Sequence, residues 1–250
     1  MFRFPKFTSS SRRCAVSDLI LKHMVREFLH LFFPRICPSC GDALLARERV
    51  ICLRCKLSLP HTGFHLHADN PISRLFWGRV PIHSATAMYY FRKNGYVQEL
   101  LHQLKYGKQP EIGLELGRWY GQELRKSKDY RETELIVPVP LHPRKHKLRG
   151  YNQSEVFSEG LSEEMGCPCH VEALIKRFET ETQTRKSRFR RWENVKEVFD
   201  IPDPKTVHNK RILLVDDVIT TGATIEACAR TLFRAGASTV RVASIASPVY

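Results

Sequence analysis

Two groups of residues in this chain have the type and spacing to do chemistry. The first is a pair of adjacent acids, Asp216-Asp217, followed at once by Val218-Ile219-Thr220-Thr221-Gly222-Ala223-Thr224. Neighbouring carboxylates accept hydrogen bonds from the paired hydroxyls of a sugar. A turn rich in Thr and Gly that runs into a helix offers free N–H groups, hydroxyl donors and the positive end of the helix dipole, all of which suit a phosphate. Gly222 lets the backbone approach such a ligand closely. The combination asks for a ribose 5-phosphate unit, with its phosphate on Thr220, Thr221, Gly222, Ala223 and Thr224 and its hydroxyls on Asp216 and Asp217. A generic strand–turn–helix with a polar turn is the plainer alternative. The acid pair alone would not decide between them; the whole string from 212 to 224 in a β-loop-α setting favours the ligand site.

The second group is a set of four cysteines, Cys37, Cys40, Cys52 and Cys55, arranged as two C-x-x-C pairs with eleven residues, 41 to 51, between them. Each pair lets two thiolates converge on one ion, and two pairs complete a tetrahedral sulfur shell for zinc. Gly41 follows the first pair, where a tight turn needs a residue without Cβ. The gap is shorter than the 15–20 residues of common four-cysteine ribbons. Two disulfides would need an oxidising compartment, and residues 1–17 carry no apolar stretch of the length a secretory signal needs. The expectation is therefore a structural zinc ion, with no open position for a substrate, in a cytoplasmic protein. His61, His65 and His67 lie close by in sequence and are expected as solvated loop residues. Cys228 falls on the apolar face of a helix and is expected in the core.

The elements that must position these groups follow from hydrophobic periodicity. Residues 1–17 read as a basic flexible extension. Asp18 to about Phe33 reads as a short helix with Leu21, Val25, Phe28 and Leu29 on one face. Together with the four-cysteine module it fills 18–68, and 69–82 reads as a linker. From 83 to 250 strands alternate with helices. Strands are expected at 85–91, 134–139, 171–175, 211–215 and 239–245, and helices at 96–105, 111–126, 153–165 and 224–235. Such alternation implies an α/β fold, a parallel sheet flanked by helices. The continuous apolar run Ile212-Leu213-Leu214-Val215 marks a central strand buried on both faces. It delivers the acid pair to its carboxyl end, where ligands bind in open α/β folds.

These motifs resemble the ComF family, whose members include ComFC-like and GntX-like proteins, and the string from 212 to 224 resembles the phosphoribosyl pyrophosphate (PRPP) signature of type I phosphoribosyltransferases. The segments that carry the family resemblance are the four-cysteine module, His102-Gln103-Leu104-Lys105-Tyr106, Val137 to Pro143, Arg149 to Glu155, Thr182-Gln183, Arg191 and Asn194-Val195. They span about residues 30–246. The resemblance implies a type I phosphoribosyltransferase fold with a small N-terminal zinc-binding module. It implies an enzyme that displaces pyrophosphate from a PRPP–Mg complex, with Asp216 and Asp217 as its catalytic acids. It also implies that the loop after the first core strand contacts pyrophosphate, which makes Arg144 and Arg149 candidates. Arg185, Lys186, Arg188, Arg190 and Arg191 then belong to a loop closing over the leaving group. Purine-salvage members carry an acid at the position of Thr220, so a purine-type proton shuttle is not expected and the acceptor stays open.

Charge and composition set the remaining bounds. Forty Lys and Arg against twenty-six Asp and Glu give a formal charge of +14, and 42% of residues are apolar. The chain can bury a core, and no apolar run reaches the length of a membrane span. A surplus of this size attracts polyanions. Phe189 lies among the arginines of 185–191 and Trp192 follows them, a pattern that also suits single-stranded DNA. A second reading is therefore a PRPP- or nucleotide-binding accessory protein in DNA uptake, acting with single-stranded DNA and competence proteins; a homo-oligomer is compatible with either.

Overall fold

In a computed structural model, residues 34–177 and 199–248 are described. The extension and helix expected over 1–33, and the basic segment with Arg185 and Lys186, lie outside the described residues.

The core is a four-stranded parallel sheet in the order β1-β6-β5-β2, made of β1 (Ser84–Phe91), β2 (Leu135–Pro138), β5 (Arg211–Val218) and β6 (Thr239–Pro248). A two-stranded antiparallel ribbon, β3 (Ile175–Lys176) with β4 (Phe199–Asp200), stands apart from it. The strand expected over 171–175 does not form. Only its last residue pairs, and Ala173 and Leu174 are buried in irregular chain instead.

Alternation along β5 explains its unbroken apolar run. Leu213 and Val215 face one core, Ile212 and Leu214 the other, because successive side chains leave a strand on opposite sides. The first core is closed by α3 (Tyr96–Tyr106), α4 (Pro110–Leu124) and α6 (Gln153–Met165), through residues such as Leu101, Leu116 and Phe157. The second is closed by α7 (Ala223–Arg234), through Ile225, Cys228, Ala229 and Leu232. Cys228 is fully buried there, as its helical spacing indicates. Helices α4 and α6 cross at very short range. A Cβ at Gly117 would sit 2.2 Å from the Phe157 carbonyl oxygen, and one at Gly160 2.2 Å from that of Leu114.

Residues 69–82 are not a loose linker. Asn70 caps the short helix α2 (Pro71–Arg74), accepting from the backbone N–H groups of Ile72 and Ser73 at 3.0 and 3.1 Å. Its amide donates to the Ala85 carbonyl at 2.9 Å. Phe76 is 1% exposed in the second core. A short amphipathic stretch between Pro and Gly is easily read as a connection, and only the neighbouring strand supplies the apolar surface that fixes it. Around the cysteines, a turn at 38–40 and α1 (Leu53–Ser58) pack with Ile51 and Leu59 against the first core.

Candidate functional site

Strand β5 runs three residues further than expected, through Val218, so both acids are strand residues at its carboxyl end. Their side chains therefore leave on opposite sides. Asp217 shares the side of Leu213 and Val215 and meets α3, where Lys105 Nζ lies 2.9 Å from its Oδ2. Asp216 takes a hydrogen bond from Ser154 Oγ at 3.1 Å and another from the Asp217 backbone N–H at 2.8 Å. Burial, and then the adjacent Asp217 carboxylate, push the Asp216 carboxyl up to about 7. Lys105 offsets one of the two acids, and a cation or the hydroxyl donors of a sugar can satisfy the rest of the pair.

The turn after the acids is built for a close approach. Ser247 Oγ donates to the Ile219 carbonyl at 2.8 Å, and Arg79 donates to the Thr221 carbonyl at 3.1 Å. Gly222 has φ +76° and stands at the N-cap of α7 with no side-chain cap. A side chain there would be strained by that φ and would strike Phe76, with its Cβ 2.7 Å from Cε1. Thr220, Thr221, Ala223 and Thr224 are exposed around it. Glu226 in the first turn of α7 would oppose an anion, but Arg230 holds it at 2.9 Å and Arg79 pairs with its other oxygen. The turn thus presents N–H groups and hydroxyls with the nearby acid offset.

Arg144 and Arg149 lie not in a loop but in a seven-residue helix, α5 (Pro143–Arg149), that directly follows β2 at the same sheet edge. His142 Nδ1 accepts from the Arg144 N–H at 3.1 Å, and Pro143 at the first helical position suits the start. Arg144 is exposed. Arg149 is bonded to Gln153 Oε1 at 2.6 Å and sits 5.3 Å over the ring of Tyr106. Asn152 caps α6 through the Ser154 N–H and donates to the Val139 carbonyl at 3.0 Å. That cap sets Ser154 where it can reach Asp216.

Beside the acids opens a cleft of about 1030 Å³, reached by Asp217, Val218, Thr220, Lys105 and Tyr106 and continued by Phe91, Arg92, Lys93 and His102. Lys105 and Ser154 are the residues that sequence reasoning missed. The only signal for Lys105 was its place in the segment 102–106, and Ser154 looked like an ordinary helix-start residue.

The four cysteine sulfurs lie within 4.8 Å of one another, and among the described residues they are the cluster suited to a metal. Cys40 and Cys52 Sγ are 3.7 Å apart. A disulfide would be about 2.0 Å, whereas ligands at about 2.3 Å on a tetrahedral ion stand about 3.8 Å apart. The backbone N–H groups of Cys52 and Cys55 point at Cys37 and Cys52 Sγ, each at 3.4 Å. Burial works against ionising Cys37, but hydrogen bonds from the backbone of Cys52, Cys40 and Ser39 outweigh it and bring the thiol down to about 7. Burial raises the Cys52 and Cys55 thiols. Four thiols this close can all ionise only beside a cation. The cluster is compatible with a structural zinc site. His65, expected in solvent, is only 11% exposed on its side chain, and its Nδ1 lies 3.8 Å from Glu123 Oε2. His61 Nδ1 faces the other oxygen of Glu123 at 3.7 Å.

A doubly covered parallel sheet, with an acid pair and a Thr/Gly turn at the end of its central strand, defines a type I phosphoribosyltransferase-like protein, and residues 152–248 match the model of the phosphoribosyl transferase domain family. The chain is 34% identical over 215 residues to the DNA utilization protein YhgH of Salmonella typhimurium (strain LT2), covering 83% of this chain and 88% of that protein. It is 32% identical over 152 residues to competence protein F of Haemophilus influenzae, covering 59% of this chain and 66% of the relative. Competence protein ComFC of Streptococcus pneumoniae is 36% identical over 124 residues, 50% of this chain and 51% of the relative. The chain belongs to the ComF family of phosphoribosyltransferase-like proteins. Among the described residues no helix is long and apolar enough to cross a membrane.

Proposed function

We propose that this protein binds PRPP with Mg²⁺ and transfers its phosphoribosyl group to an acceptor held in the cleft beside Asp217. The observation that carries this reading is the start of α7, whose N-cap Gly222 lies five residues after Asp217 and brings no side-chain cap, at the carboxyl edge of the sheet. The 5-phosphate sits against the turn from Thr220 to Thr224. Asp216 and Asp217 approach the ribose from two directions and hold its hydroxyls. Their negative charge also offsets positive charge developing at C1. The acceptor's nucleophilic atom forms a bond to C1 as the C1–O bond to pyrophosphate breaks. The electron pair leaves on pyrophosphate, and any proton on the nucleophile passes to water. Mg²⁺, when bound with the donor, neutralises charge on the pyrophosphate. Arg144 and Arg149, with Arg185 and Lys186 from the segment outside the described residues, receive the leaving group.

In the same reading Cys37, Cys40, Cys52 and Cys55 hold a structural zinc that ties together the small module to which they belong, in a cytoplasmic protein. A second reading draws on the relatives' names, DNA utilization and competence, and on the +14 charge. It keeps PRPP or nucleotide binding but gives the protein an accessory role in DNA uptake, with single-stranded DNA and competence proteins as partners.

Calorimetry with PRPP and Mg²⁺ tests the shared part. Wild-type protein should bind, and the double substitution Asp216→Asn, Asp217→Asn should abolish binding while leaving metal content intact. Unchanged affinity in the double variant removes the site assignment. Pyrophosphate release in the presence of bases and amines then separates the enzyme from the accessory protein.

A further inference from the structure

We infer that the cleft beside Asp217 selects a planar anionic acceptor, an aromatic or heteroaromatic carboxylate, and that Lys105 reads its charge. This deepens the transferase reading and rests on it.

The charge of the cleft points to an anion. Among its described lining residues Arg92, Lys93 and Lys105 are cations and Asp217 is the single acid. That acid is already engaged by Lys105 at 2.9 Å. Arg92 and Lys93 are exposed at the end of β1 and no ion pair is formed by either among the described residues, so they add positive charge at the mouth of the cleft. A neutral acceptor leaves that potential unused, whereas a carboxylate meets it.

The shape of the lining points to a flat ring. Tyr106 and His102 stand with ring centroids 5.2 Å apart on successive turns of α3, and Phe91 contributes a third ring from β1. Arg149 sits over Tyr106 and orients it. Tyr106 and His102 are exposed and Phe91 is half-buried, so rings on two elements give a planar ligand faces to stack on.

Lys105 connects the two ligands. Its side chain and that of Asp217 are 21% and 17% exposed, so the pair is partly shielded and matters more than a surface ion pair. Among the described residues Asp217 is the acid that Lys105 pairs with. When the donor's hydroxyls compete for the Asp217 oxygens, the ammonium needs another anion, and it already faces the cleft. Donor binding therefore strengthens acceptor binding, because the cation is masked until the sugar arrives.

A matched pair of probes tests this on the full-length protein as purified. Pyridine-3-carboxylate and pyridine-3-carboxamide have nearly the same shape and differ in charge. Their binding is measured by calorimetry with and without saturating ribose 5-phosphate and Mg²⁺, a donor remnant that cannot react. With ribose 5-phosphate present the carboxylate should bind at least tenfold tighter than the amide, and the preference should shrink without it. Lys105→Met should weaken the carboxylate at least tenfold and leave the amide within about twofold. The double substitution Arg92→Met, Lys93→Met, which leaves the Lys105–Asp217 pair in place, should also reduce the carboxylate preference. Equal binding of the two probes, binding of neither, or a preference that survives Lys105→Met overturns the inference while the donor site stands. Failure of ribose 5-phosphate itself to bind overturns the donor site and this inference with it.

Discussion

Replacing Asp216 by Asn should make the folded protein more stable in mild alkali while removing its affinity for the donor. Burial and the neighbouring Asp217 carboxylate lift the Asp216 carboxyl from its ordinary 3.8 to about 7. In the unfolded chain it titrates near the ordinary value. Each pK unit corresponds to about 1.4 kcal/mol, so ionising this group costs the folded state about 4 kcal/mol at most. Solvent at the cleft mouth shares that load, and a gain of about 2 kcal/mol on substitution is the working figure. The sign follows from proton counting. Between about pH 4 and 7 the folded state keeps a proton that the unfolded state has released, so stability falls as pH rises through that window and levels off above it. Below about pH 4 both states are protonated and the penalty is absent. The amide introduced by Asp216→Asn cannot ionise, and its carbonyl oxygen can still accept from Ser154 and from the Asp217 backbone. The variant should melt with the wild type near pH 4 and about 4–8 °C above it near pH 8. Thermal melts at the two pH values, with PRPP calorimetry on the same samples, make the comparison. A variant that is less stable at both values, or whose gain does not depend on pH, refutes the assignment of Asp216 as a strained ligand-binding acid.

Two further outcomes follow from the geometry. Metal analysis of freshly purified protein should find one zinc per chain. Cys40→Ser should lose it and make residues 34–60 sensitive to limited proteolysis, since a structural zinc contributes on the order of 10 kcal/mol of folding free energy; full metal retention would count against the four-sulfur site. Gly222→Ala combines a left-handed φ with a Cβ 2.7 Å from Phe76 Cε1, and should weaken PRPP binding at least tenfold at a stability cost of about 1–3 kcal/mol. Wild-type affinity in that variant would mean the turn does not carry the phosphate.

The features legible in the sequence were those written in local pattern. The run Ile212–Val215 has no polar face, so it had to be a strand covered on both sides, and the residues after it had to emerge at the carboxyl edge of a parallel sheet. The two C-x-x-C pairs declared their own convergence, and the four sulfurs do lie within 4.8 Å of one another. Helix-period residues such as Ile225, Cys228, Ala229 and Leu232 marked the buried face of α7. Each of these features depends only on the geometry of one strand, one turn or one helix.

What the tertiary structure alone decided is which distant residues meet. Lys105 and Asp217 are separated by more than a hundred positions, and nothing in either neighbourhood marks them as partners; the packing of α3 on the sheet brings them to 2.9 Å. The same holds for Ser154 and Asp216, and for Phe76 beneath Gly222. Residues 69–82 looked like a linker because Pro71, Gly78 and Pro81 interrupt them, and the strand that buries their apolar side chains is itself placed only by the completed fold. Arg144 and Arg149 were expected in a loop, because a short basic stretch between Pro143 and Gly150 has no buried face to announce a helix. Local periodicity fixes which face of an element is apolar, but the identity of the surface across from it depends on chain topology, which a linear pattern does not encode.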